Sequence, residues 1–196
     1  MEELKRYKGE LNREQMITAR NKIINNAKSL YEEATILYNH DKYARAYYLL
    51  CIANEELGKS IMVTSGIVDF LGDNIDWKTF WKRLRNHKDK TGTIEHIENI
   101  FISNDENFCN PKDVQDRIPT FEEVKMISLY SDMIQNDFYE PCEIIQKEMV
   151  QAYHKLTGKR IDFVTAISVS DFTLRNIDKE KAKEHIKWLK SFFRKE

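Results

Sequence analysis

The sequence predicts an all-α bundle of long antiparallel helices, and three observations carry that prediction. Six glycines and three prolines punctuate 196 residues, too few for a chain of many turns. Apolar residues recur every three or four positions from Met16 through Ile23, Ala27, Leu30 and Ala34 to Tyr38, the period of an amphipathic helix. The run DKYARAYYLLCIANEELGKSIM, at 41–62, is apolar or small almost all the way round a helical wheel. A surface helix has one apolar stripe, so this run reads as the central helix of a small bundle.

Residues 1–11 are polar and are expected to fray. The first helix, 12–38, starts at Asn12 with Gln15 three residues on, the spacing of a capping box. A turn at Asn39, His40 and Asp41 leads into the second helix, 41–71, whose last turns Gly66 weakens. Asp76 caps a third helix over 76–91, with Trp77, Phe80, Trp81 and Leu84 as its apolar stripe and Gly92 ending or bending it. Periodicity is lost over 94–119, which reads as a long loop. Pro119, Thr120 and Glu123 mark the start of a helix over 120–139, which Pro141 interrupts. A fifth helix, 141–156, is expected to end at Gly158. FVTAISVS, at 163–170, is β-prone but lacks partner strands, so it reads as packed irregular chain or a short helix. A final amphipathic helix covers 178–193, and the whole chain, 1–196, reads as one domain without internal repeats.

The formal charge of −1 averages over unlike regions. Lys78, Lys82, Arg83, Arg85, Lys88 and Lys90 face a single acid, Asp89, between 77 and 91. The stretch 95–123 holds eight acidic residues against Lys112 and Arg117. A local basic patch on a near-neutral chain suits an anionic partner. Cys51, Cys109 and Cys142 have no pairing pattern and read as free thiols in a reducing compartment. The N-terminal MEELKRYKGELNREQ has no apolar segment, and no apolar run is long enough to span a bilayer. A cytoplasmic protein without membrane partners is therefore expected.

Ala44, Tyr48, Cys51, Ile52, Glu55, Lys59 and Met62 share one face of the second helix, which turns Glu55 inward. A buried carboxylate must be paired or hydrogen-bonded, and Lys59, one turn on, is the nearest candidate. Such a pair either fixes helix register or belongs to a functional cleft. Glu56 lies about a quarter turn away and reads as a surface charge. On the third helix, Arg83, His87 and Lys90 fall within about 60° of one another, while Arg85 and Lys88 sit elsewhere on the wheel. Histidine exchanges protons near neutrality, and arginine and lysine hold a phosphodiester and the charge developing on it. The set permits metal-independent RNA cleavage, with the 2′-hydroxyl attacking the adjacent phosphate. It also permits the plainer reading of a solvated basic face. Trp77 and Trp81 are expected to pack rather than to stack on bases. A Gly-rich phosphate loop, HExxH, paired-cysteine metal signatures and a nucleophile elbow are all missing, so no cofactor or metal is expected.

YARAYYLLCIANEELGKS, followed by FWKRLRNHKDK, resembles the AbiV family of bacterial abortive-infection proteins, which is grouped with the HEPN superfamily of helical domains. SLYSDMIQNDFYEP, at 128–141, is similar to that family's later Leu-Tyr-Val-Asp region, so the likeness spans 27–141. Glu55, Glu56, Gly58 and Lys59 match the EELGK signature, and His87, Lys88 and Lys90 the HKxK signature. The resemblance implies a HEPN-like bundle that stops phage multiplication, with shutdown of translation and recognition of a phage protein. HEPN ribonucleases carry Arg, four to six residues, then His, at a site formed where two such helices meet in a dimer. Here Arg83 and His87 enclose three residues, and Lys82 stands at the four-residue spacing. Two expectations follow. One is a homodimeric endoribonuclease with His87, Arg83, Lys90 and Glu55 as catalytic residues, supported by Lys59, Glu56, Lys88 and Arg85. The other is a non-catalytic module that binds a phage protein or a component of the translation apparatus.

Overall fold

A computed structural model describes residues 5–71, 75–101, 111–166, 171–181 and 184. Helix α1 (Arg13–Asn39) starts at the capping box that the sequence spells: Asn12 accepts from the Gln15 backbone, and the Gln15 side chain accepts from the Asn12 backbone. A turn with Asp41 in the left-handed region reverses the chain into α2 (Tyr43–Leu71), which packs antiparallel along α1. Gly66 leaves α2 unbroken.

Helix α2 is the axis, and three apolar layers lie along it. Tyr47 and Leu50 meet Ala34, Ile145 and Val150 near the α1–α2 turn. Leu57 meets Ile24, Ala27, Ile94 and Ile161 in the middle. Val63 and Ile67 meet Met16, Ile17, Leu84 and Leu174 at the far end. Burying a residue such as Leu57 or Ile67 completely contributes about 1.5–3 kcal/mol. Between the apolar layers sit buried polar residues of α2 that need partners. Asn54 donates to Leu50 O and Thr157 Oγ1 and accepts from Arg160, which also pairs with Glu95 at 2.7 Å. That network pins α7 (Lys147–Ala166) to α2 and α4.

Several expected boundaries differ from the observed ones. The helix expected over 76–91 is two helices, α3 (Trp77–Arg85) and α4 (His87–Phe101), broken at Asn86. Asn86 is extended, its backbone N–H donates to Arg83 O, and its side chain accepts from Asp89 N. It thus ends one helix and caps the next, because its short amide satisfies the free backbone groups of a helix start. Helix α4 runs through Gly92 to Phe101, and α5 spans Pro111–Ile127, so helix occupies both ends of the expected loop 94–119. Residues 102–110 lie outside the described residues. Pro119 sits inside α5 at an exposed position, where water can reach the Gln115 carbonyl that loses its helical partner.

The second half of the helix expected over 120–139 is a hairpin of β1 (Asp132–Ile134) and β2 (Asp137–Tyr139), with Ile134 opposite Asp137. Its two-residue loop places Gln135 at positive φ, the geometry that tight hairpins favour. After the short α6 (Pro141–Ile144), α7 passes through Gly158 and ends at Ala166, not at 156. Residues 163–166 of the β-prone run are its last turn, and 167–170 lie outside the described residues. Helix α8 (Asp171–Asn176) follows. Of the helix expected over 178–193, only 178–181 and 184 are described. Of the N-terminal residues expected to fray, Tyr7 and Gly9 are tied to α3, and 1–4 lie outside the described residues: Trp81 Nε1 donates to Gly9 O at 2.8 Å, and Tyr7 packs edge-on against Trp81.

One close approach decides where α4 lies. A Cβ built on Gly58 would stand 2.1 Å from the Lys90 carbonyl oxygen, so the α2 and α4 backbones cross in contact there. Alanine is intrinsically better than glycine in a helix by about 1 kcal/mol, yet here it must push α4 away. Gly58→Ala should therefore lower stability by about 1–3 kcal/mol, the range for overpacked cores. Urea denaturation measures it, and an unchanged or raised midpoint would contradict the contact.

Candidate functional site

The Gly58 crossing brings the first turn of α4 onto the face of α2 that carries Glu55. Glu55 is 3% exposed. His87 and Lys90, three residues apart at the start of α4, both reach its Oε2: Nδ1 of His87 and Nζ of Lys90 each lie 2.6 Å away. Helix α5 supplies the third partner, Lys125, with Nζ 2.7 Å from Oε1. Lys125 also lies 2.5 Å from Glu122, one turn before it, and Glu122 accepts from Thr91 Oγ1 at 3.1 Å. Helices α2, α4 and α5 thus meet in one polar cluster of two carboxylates, two ammonium groups and an imidazole.

Burial pushes the Glu55 carboxyl up, but the hydrogen bonds and charges of Lys125 and Lys90 outweigh it and hold the group below the ordinary carboxylate range. For Lys125, burial pulls the ammonium down, while Glu122 and Glu55 hold it above its ordinary value. An ionised Glu55 only accepts hydrogen bonds, so Nδ1 of His87 must be the donor. The Glu55 and Lys90 side chains are nearly enclosed, whereas the His87 side chain is 59% exposed. In the neutral imidazole that leaves Nε2 as an acceptor at the surface.

Glu55, His87 and Glu122 hold possible ligand atoms within 4.8 Å of one another. The ammonium of Lys125 already bridges the two carboxylates, and Lys90 takes a further position on Glu55. A metal ion would have to displace one buried cation and tolerate the other. The donor set is therefore poor for a metal and well suited to holding an imidazole.

Other expected site residues lie elsewhere. Lys59 pairs with Glu56 at 3.0 Å, not with Glu55, and Glu56 also accepts from Asn26 of α1. Glu56 is thus mostly covered at the α1–α2 contact rather than a free surface charge. Arg85 donates to Tyr7 O and lies 5.2 Å from the Trp81 ring centre, so it holds the N-terminal segment. The break at Asn86 puts Arg83 on α3 and His87 on α4, which ends their shared helical arc. Arg83 is exposed and borders a groove of about 250 Å³ with Met62, Asp69, Phe80 and Thr93. Lys88 is exposed beside His87. Lys90 belongs to the buried cluster and is not a surface cation. The sequence reading missed Lys125, Glu122 and Thr91; a lysine between Val124 and Ile127, three residues after a glutamate, is their only local signal. Cys51, buried in the core, has its thiol pushed up to about 12 by burial, which leaves it inert.

A family model of the HEPN group, described as AbiV, matches residues 15–162, about three quarters of the chain. No curated protein and no solved structure matches. Among the described residues, no helix is long and apolar enough to cross a membrane.

The ion cluster dictates how stability depends on pH. The depressed Glu55 contributes in full above its unfolded value of 4.5 and loses that contribution as pH falls through its folded value. The raised Lys125 contributes in full below 10.5 and loses it as pH rises through its folded value. Stability from the cluster should be level between these limits and fall on either side. Glu55→Gln, which strands the buried Lys90 and leaves Lys125 with Glu122 alone, should cost about 3–5 kcal/mol at neutral pH and flatten the acid arm. Urea midpoints across pH for both proteins test this, and an acid arm equally steep in the variant would refute it.

Proposed function

Because this chain belongs to the AbiV family, an abortive-infection family of the HEPN group, we propose that it is a bacterial anti-phage effector acting in the cytoplasm by metal-independent cleavage of RNA at His87. The supporting observation is the Glu55–His87 pair: a buried, ionised carboxylate fixes Nδ1 of an imidazole whose other face is open to solvent. In this reading, Nε2 of His87 takes the proton of a 2′-hydroxyl. The 2′-oxygen forms a bond to phosphorus while the bond to the 5′-oxygen breaks; the 5′-oxygen takes a proton from water and Nε2 returns its proton to solvent, leaving a 2′,3′-cyclic phosphate, a 5′-hydroxyl and a neutral imidazole. Arg83 and Lys88, both exposed near His87 in the chain, stabilise the charge on the phosphoryl oxygens. Glu55 and Lys90 act from inside, and Lys59, Glu56 and Arg85 support the helices rather than the substrate. Cleavage of cellular RNA shuts down translation, and a phage-encoded protein serves as the trigger.

A specific observation favours a second reading, a non-catalytic module that binds a phage protein or a translation component. Tyr130, Met133 and Phe138 on and beside the hairpin are large and exposed, Met133 at 65% and Phe138 at 69%. Exposed apolar groups of this kind suit a protein partner.

His87→Gln separates the two, since glutamine keeps hydrogen bonding but cannot titrate. Cleavage requires proton exchange, a contribution of about 10²–10⁴-fold to rate, so the variant should lose phage protection at wild-type protein level. Plaque formation on expressing cells measures it, and retained protection moves the assignment to the binding module.

The same reading takes the working unit to be a two-fold homodimer through the faces of α2, α3 and α4, with the two His87 side chains on a shared groove. Sedimentation should give twice the 23.3 kDa chain mass at micromolar concentration. A species at the chain mass rules the dimer out.

A further inference from the structure

Lys125, like Glu122, lies outside the EELGK and HKxK stretches, and it reaches Glu55 from a different helix. We propose that Lys125 is a positioning residue for His87: by holding Oε1 of Glu55, it fixes the carboxylate so that Oε2 selects the imidazole tautomer with the proton on Nδ1. This deepens the reading of His87 as the proton acceptor and rests on it for its catalytic consequence, though not for its structural one.

The geometry carries the argument in steps. A carboxylate has two oxygens in one plane, and Glu55 is nearly sealed from water. Its Oε2 takes two partners from α4, His87 and Lys90, each at 2.6 Å. Its Oε1 takes Lys125 of α5 at 2.7 Å, a contact from a different helix. With Lys125 gone, Oε1 is desolvated and bare, and Lys90 is the cation left to cover the carboxylate. Rotation of Glu55 toward Lys90 then withdraws Oε2 from the imidazole. The His87 ring is mostly exposed, so once that hydrogen bond goes it is free to turn and to place its proton on either nitrogen. Outer partners that orient a histidine act in this way in metal and proton-transfer sites.

Lys125 is itself held at two points besides Glu55. Glu122 grips its ammonium at 2.5 Å and is anchored by Thr91 of α4 at 3.1 Å, and Ser128 Oγ donates to the Lys125 carbonyl at 2.6 Å. Among the described residues, the charged and titratable groups around the Glu55–His87 pair are Lys90, Lys125 and Glu122, with the buried Cys51 thiol near Glu55 and Lys125. A lysine whose only task is to neutralise Glu55 would be redundant with Lys90. Its distinct place is on the other oxygen, where it sets orientation.

Nitrogen-15 NMR of the His87 ring tests this in the full chain, with cleavage of total cellular RNA measured beside it. Wild type should show one tautomer, protonated at Nδ1 with Nε2 as the acceptor. Lys125→Met should give mixed tautomers, a cleavage rate about 10–100-fold lower, and a changed pH profile. Lys125→Arg should restore the single tautomer. If the methionine variant does not fold, Lys125→Gln, polar but uncharged and one atom too short to reach Oε1 as the lysine does, should still mix the tautomers. An unchanged His87 spectrum in a folded Lys125→Met or Lys125→Gln variant overturns the proposal. A shifted spectrum in a protein whose wild type cleaves no RNA sustains the positioning role and instead refutes the cleavage reading.

Discussion

An ionised carboxylate closed off from water is the constraint on which the site depends. Desolvating Glu55 alone would cost several kcal/mol or force it to take up a proton, and the chain avoids both outcomes by bringing cations to it. Each cation imposes a further demand. Lys90 reaches Glu55 because α4 lies against α2, and α4 lies there because Gly58 has no side chain to keep it off. Lys125 brings its own counter-charge, Glu122, and with it the face of α5. Two acids and two lysines leave the interior neutral. The imidazole is the member at the exposed edge of this neutral interior.

Legibility in the sequence divides along a physical line. Helices α1 and α2 were readable because an uninterrupted apolar period and a capping box are local signals, written within a few residues of where they act. The inward direction of Glu55 was readable for the same reason, from the wheel of a single helix. Its partners were not. Lys59 was the near choice in sequence, but the side chain turns to Glu56 and α1. Lys125, seventy residues from Glu55 in the chain, becomes a partner only through the packing of α5. Where local signals competed, the reading also failed. Asn86 is a helix cap buried in a basic run that looks continuous, and Pro119 looks like a start but sits mid-helix at a solvated position. The apolar residues of 129–139 come in adjacent pairs, Leu129–Tyr130, Met133–Ile134 and Phe138–Tyr139, a spacing closer to a helix than to a strand's alternation. The hairpin is set instead by the tight turn at Gln135 and Asn136.

The break at Asn86 also changes what the Arg–His spacing means. A spacing counted along the chain predicts a shared surface only if one helix carries both residues, since the face returns every three to four positions. Here Arg83 ends one helix and His87 begins another, so three intervening residues do not set their relative direction; the angle between α3 and α4 does. That angle is fixed by contacts close to the break. Trp81 and Arg85 tie α3 to the N-terminal segment, and Lys90 and Gly58 tie α4 to α2. The shortened motif is therefore no measure of whether guanidinium and imidazole can serve one phosphate. What the chain does fix tightly is the imidazole. It stands where a backbone crossing and a buried carboxylate hold it, while the guanidinium is left at the rim of a groove. That division suits a site whose proton-transfer group is set in advance and whose anion-binding groups adjust to what arrives.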